Sequence, residues 1–95
     1  MNVIVDTTLP RIAIRFEHDG DNYIVTYGRF PDGRPSELFL DGPCSFYLAA
    51  RMASLALQHG APIEAVRGVF IGDGGPFAKA IDRVIAACKR GITNE

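Results

Sequence analysis

With 95 residues, 47% hydrophobic and 22% charged, the chain fits one soluble globular domain. A polypeptide this short buries only about 60% of its unfolded surface and cannot close two cores. A net charge of −1 and a pI near 6.1 argue against a basic nucleic-acid-binding stripe, and no apolar run nears the ~20 residues of a membrane helix.

The charge is uneven. Residues 1–43 hold four basic and seven acidic side chains, and residues 44–95 hold six basic and four acidic. Cys44 and Cys88 stand far apart, without the close pair of a metal site or a C-x-x-C redox motif, so they read as small half-buried hydrophobes.

Residues 1–10 read as an N-terminal arm, in which Val3-Ile4-Val5 could form a short edge strand and Pro10 marks the entry to the domain. The start lacks a basic segment followed by a long apolar one, which predicts a cytoplasmic protein. Residues 11–91 form the domain and 92–95 a tail. Arg11–Phe16 alternates, with Ile12, Ile14 and Phe16 on one face and Arg11, Ala13 and Arg15 on the other, as in a half-buried strand. Asp19-Gly20 is a hairpin signal, because both residues tolerate the positive φ of a tight turn. Tyr23–Phe30 reads as the second strand, with Tyr23, Val25 and Tyr27 sharing a side. Pro31-Asp32-Gly33-Arg34-Pro35 turns the chain, and Ser36–Asp41 forms the third strand. Short connections favour an antiparallel meander.

Beyond Gly42-Pro43 the period becomes helical. Ser45–His59 reads as a helix, capped by Ser45, with Leu48, Met52, Leu55 and Ala56 as its inward stripe and Gly60 as its stop. Pro62 suits the first position of a second helix reaching Phe70. A loop through Gly72-Asp73-Gly74-Gly75 precedes a third helix from Pro76 to Arg90, closed by Gly91, whose stripe is Phe77, Ile81, Val84, Ile85 and Cys88. Strands first and helices second predict an α+β two-layer sandwich: a three-stranded antiparallel meander with two or three helices packed on one face.

Candidate chemistry is sparse. Nucleophilic catalysis needs a Ser, Cys or Thr beside an oriented base. His18 falls in a turn among acidic residues, His59 at a helix C-terminus, and Cys44 ahead of a helix, and no pair of them forms a known motif. The turn carboxylates Asp19, Asp21 and Asp32 read as solvated, with no burial to separate their pKa values. The Gly72–Gly75 loop resembles a phosphate cradle, with Lys79 as its one helpful cation, but lacks the spacing and the Lys-Ser/Thr of a P-loop. Catalytic residues, metal ligands and cofactors are therefore each expected to be none. The helix–turn–helix spanning Ser45–Phe70 has spacing like a DNA-binding unit, yet its second helix offers only Glu64 and Arg67 to a partner.

The segments FPDGRPSELFL (Phe30–Leu40), ARMASLALQHGAPIEAVRGVF (Ala50–Phe70) and GPFAKAIDRVI (Gly75–Ile85) resemble the TSCPD domain over roughly residues 12–86. That domain forms the C-terminal part of vitamin-B12-dependent ribonucleotide reductases and occurs in small standalone bacterial and phage proteins. The resemblance implies the fold and a reductase-like label. It does not imply reductase activity, because Ile71–Phe77, which has no cysteine, stands where the Thr-Ser-Cys-Pro-Asp motif belongs.

Together these readings predict a non-enzymatic accessory or regulatory module, phage-borne in one setting, that binds another protein. The expected surface is the helical hairpin at His59, Glu64 and Arg67, or the sheet face bearing Arg11, Arg15, Glu37 and Phe39. Three alternatives stay open: an inhibitor of a host enzyme or defence complex of the anti-CRISPR kind, a nucleic-acid-binding helix–turn–helix, and a small nucleotide-binding domain using the glycine loop. A homodimer paired through an exposed strand edge is also open.

The third helix generates a stability test, since each large apolar side chain buried in its stripe contributes about 1.5–3 kcal/mol. Ile81→Asp should abolish cooperative unfolding; a soluble variant with native circular dichroism and a cooperative urea transition would refute the stripe.

Overall fold

The computed structural model describes residues 10–70, 72 and 74–90. Residues 1–9 of the arm with Val3–Val5, Ile71 and Asp73 of the glycine loop, and Gly91 with the tail lie outside the described residues. Strands β1 (Ile12–His18), β2 (Asp21–Arg29) and β3 (Pro35–Asp41) form an antiparallel meander in the order β1-β2-β3. Helices α1 (Tyr47–Gln58), α2 (Ile63–Gly68) and α3 (Pro76–Lys89) follow. This is the predicted α+β architecture.

The turns form for the reasons read in the sequence. Asp19 and Gly20 both take positive φ, 51° and 82°, which lets a two-residue turn follow the twist of β1 and β2. In the β2–β3 turn the Phe30 and Arg34 backbones exchange a bond, Phe30 N donating to Arg34 O at 2.8 Å. Asp32 accepts the Arg34 amide at 3.0 Å and its Nε at 2.7 Å, which fixes the turn from within.

One face of the sheet is the core. Phe16, Tyr23, Val25, Tyr27, Leu38 and Leu40 meet Ala53 and Leu57 of α1, Ile63 and Val66 of α2, and Phe77, Ile81 and Val84 of α3. Phe16 and Tyr23 stack with centroids 5.5 Å apart. The α3 stripe stands as predicted, with Phe77, Ile81 and Val84 buried and Ile85 and Cys88 half-buried against the core.

Helix α1 departs from its predicted phase. Its buried residues are Ala50, Ala53, Ser54 and Leu57, while Leu48, Met52 and Leu55 face outward. The period was legible but the helix carries two stripes, and the one with small residues turns inward. Small side chains let α1 lie close along the outer edge of β3. There the buried Ser54 hydroxyl accepts from Leu38 N at 3.0 Å and donates to Leu38 O at 3.1 Å. An edge strand otherwise leaves such groups unpaired, and α1 covers them.

The helix caps also shift slightly. Phe46, not Ser45, is the N-cap of α1; it has φ 50° and makes no side-chain cap bond. Its ring packs 5.9 Å from that of Phe77, which offsets an uncommon conformation for a bulky residue. At the other end Ala61 N donates to Ala56 O at 3.0 Å and Gly60 N to Leu57 O at 3.1 Å, with Gly60 at φ 100°. That pair of bonds is a Schellman stop. Pro62 is the extended N-cap of α2, one position before the predicted first turn. At the other edge of the sheet, Lys79 of α3 donates to Glu17 O of β1 at 2.8 Å.

The Ser54 contact predicts its own cost. Ser54→Ala leaves the buried N–H and C=O of Leu38 without partners, and each such group costs about 1–3 kcal/mol. Urea denaturation should register a loss of about 2–4 kcal/mol, and an unchanged midpoint would contradict the bridging role.

Candidate interaction surface

The predicted surface residues fall in two separate places. Arg11, just ahead of β1, and Glu37 on β3 lie on the solvent face of the sheet and pair directly across β2; Arg11 Nε donates to Glu37 Oε2 at 2.7 Å. Gly28, opposite Glu37 in register, makes this span possible. A Cβ there would stand 2.9 Å from Glu37 Oε2 and 3.2 Å from Ser36 Oγ. Arg15 and Phe39 share that face and are exposed.

The helical set is divided in role. His59 is the exposed C-cap of α1 and Glu64 is exposed in the first turn of α2. Arg67 is committed to the scaffold: its Nε donates to Asp82 Oδ1 at 2.7 Å and its Nη1 to Phe70 O at 3.0 Å. It staples α2 to α3. With Val66 buried, the outward side of α2 presents Glu64 and ends beside Val69, which is apolar. Lys79, named for the glycine loop, is engaged by Glu17 O.

What the sequence reading missed is the outer face of α1. Leu48, Met52 and Val69 are 73%, 71% and 78% exposed, and Tyr47 and Leu55 are more than half exposed. A groove of about 570 Å³ links Phe39 of β3 with Tyr47, Leu48, Met52 and Leu55. A second, almost wholly apolar groove of about 370 Å³ runs between α1 and α2 from Met52 to Val69 and Phe70. Met52 borders both, so the large exposed hydrophobics form one surface. Arg51 is its one cation, stacked 5.7 Å over the Tyr47 ring and donating to Tyr47 Oη at 3.3 Å. The i, i+4, i+7 spacing of Leu48, Met52 and Leu55 was the available signal. Hydrophobicity alone ranks that stripe above Ala50-Ala53-Ser54-Leu57 for the core, and the docked helix reverses the ranking.

Burial raises the titratable groups packed against the core. Burial raises the Cys88 thiol, the reverse of what a thiolate nucleophile needs. Burial, with the neighbouring Cys88, pushes the Tyr27 phenol up to about 12. Burial, then the Asp21 charge, raises Tyr23 as well. The Arg34 amide and guanidinium hold Asp32 below the usual carboxylate range. Among the described residues no group of three His, Cys, Asp or Glu side chains is placed to hold a metal ion, and no helix is long and apolar enough to cross a membrane.

A model of the TSCPD domain matches residues 6–84. The chain belongs to the TSCPD-domain family. No curated protein and no solved structure matches it. In this TSCPD domain the exposed apolar face is built mainly on α1, within the matched residues.

The tyrosine shifts give a pH dependence. The folded phenol of Tyr27 holds its proton more tightly than an ordinary tyrosine at 10.0, so its contribution is complete below that value and is lost as pH rises toward about 12. Urea midpoints over this alkaline range should fall, and Tyr27→Phe should flatten part of the fall. An identical slope in the variant would contradict the assignment.

Proposed function

We propose that this TSCPD domain is a non-catalytic accessory or regulatory module that works by protein contact, in the setting of a ribonucleotide-reductase-type enzyme. The supporting observation is the continuous exposed face of Phe39, Tyr47, Leu48, Met52, Leu55 and Val69. Monomeric soluble domains rarely leave large apolar side chains gathered in this way, and such patches mark interaction sites.

The character of the face supports an amphipathic helix as the partner. Its grooves suit the apolar ridge of an amphipathic helix, which docks through side chains at i, i+3 or i+4 and i+7. Helix α1 has no acidic residue in its first turn, and Arg51 supplies the only charge on its outer face, so an acidic residue on the partner helix complements it. The reductase setting rests on family membership and on the resemblance of Phe30–Leu40 and Ala50–Phe70 to the domain appended to such enzymes.

Met52 borders both grooves and is mostly solvent-exposed, so Met52→Glu should leave the fold and its melting temperature nearly unchanged, within about 0.5 kcal/mol. Tagged wild-type protein should capture a reductase subunit from lysate of its own source, identified by mass spectrometry, and Met52→Glu should lose it. Failure to enrich a reductase subunit, or equal enrichment by the variant, would overturn the proposal.

A further inference from the structure

A different cleft, away from the α1 face, opens where the β2–β3 turn meets the start of α2 and the end of α3. Its volume is about 390 Å³, and Arg29, Pro35, Ala61, Ile63, Glu64 and Cys88 contribute to its wall. Arg29 is the unusual member. It is only 7% exposed, it sits at the β2–β3 bulge, and its one hydrogen bond among the described residues runs from Nη2 to Pro10 O at 3.2 Å. Its Nε is buried and has no acceptor.

Charge accounting isolates Arg29 further. Arg34, on the same cleft, is taken up by Asp32 and stacks 5.1 Å over the Phe30 ring. Arg11 and Arg67 are paired to Glu37 and Asp82. None of the ion pairs among the described residues includes Arg29. Glu64 stands exposed on the cleft wall without reaching it. A guanidinium withdrawn from water without a carboxylate is costly, and such a group is stabilised by any anion that reaches it.

We propose that this cleft binds a small monocarboxylate carrying a short apolar tail. The guanidinium supplies the planar, permanently charged donor that suits a carboxylate. Pro35, Ala61, Ile63 and Cys88 give the tail an apolar wall, and the volume lies in the range of small-ligand sites. Asp32 and Glu64 on the same wall select against a dianion such as phosphate, since among the described residues only one guanidinium there stands outside an ion pair. This site is independent of the α1 face.

The test is an amide NMR titration of the whole chain with hexanoate, hexanol and inorganic phosphate. Hexanoate should shift the signals of Gly33, Ile63 and Cys88 saturably, hexanol should not, and phosphate should bind at least about tenfold more weakly. Arg29→Gln, if folded, should weaken hexanoate about tenfold or more, the worth of one charge-assisted hydrogen bond. If that variant does not fold, Glu64→Gln at the exposed rim keeps the question open to measurement. Tighter hexanoate binding by Glu64→Gln supports the site, and unchanged or weaker binding overturns it. The absence of a saturable hexanoate shift, an equal response to hexanol, tighter binding of phosphate, or full affinity in a folded Arg29→Gln each overturns it as well.

Discussion

The contact between the Ser54 hydroxyl and the main chain of Leu38 sets the arrangement of everything after the sheet. It uses one side chain to satisfy both backbone groups of an edge residue, and it requires the helix axis to run close beside β3. Only small neighbours permit that approach, and Ala50 and Ala53 provide them. Once α1 is set there, its Schellman stop at Gly60 aims α2 back over the core, and the Arg67–Asp82 pair locks α2 to α3. The outward position of Leu48, Met52 and Leu55 is the geometric remainder of the same choice, so the edge-sealing contact and the exposed apolar face have one cause.

Much of the fold was legible because local and tertiary preferences agreed. The alternation in Ile12–Phe16 and Tyr23–Tyr27, the Asp19-Gly20 turn and the single apolar stripe of α3 each had one physical solution. Helix α1 had two. Periodicity ranks faces by hydrophobicity, whereas the sheet edge selected the face that fits, and that preference depends on Leu38, which is 16 residues away from Ser54. The candidate surface was legible only in part for a related reason. The alternation of β3 puts Phe39 on the solvent face, but its continuity with Met52 and Val69 exists only after α1 docks. Arg67 looked like a free recognition residue until Asp82 was brought beside it by α3.

The TSCPD family is named for a cysteine-bearing motif ahead of the last helix, and here that stretch is Ile71–Phe77. The two cysteines present lie elsewhere, Cys44 exposed before α1 and Cys88 late in α3, with burial raising the latter's pKa. The described residues carry an apolar face on α1, a cleft around a buried Arg29, and a sheet face strapped by Arg11 and Glu37 over Gly28.

The two long edges of the sheet are treated differently, and that difference bears on how the protein behaves when concentrated. β3 is sealed by α1, while β1 is engaged on its outer side at Glu17 by Lys79. Two copies approaching through β1, antiparallel about Ala13, would set Arg11 of each against Arg15 of the other. Like charges opposed across a strand pair are destabilising, and edge arginines of this kind discourage sheet-to-sheet growth. Arg11, just ahead of β1, and Arg15 within it therefore disfavour that one register of backbone pairing.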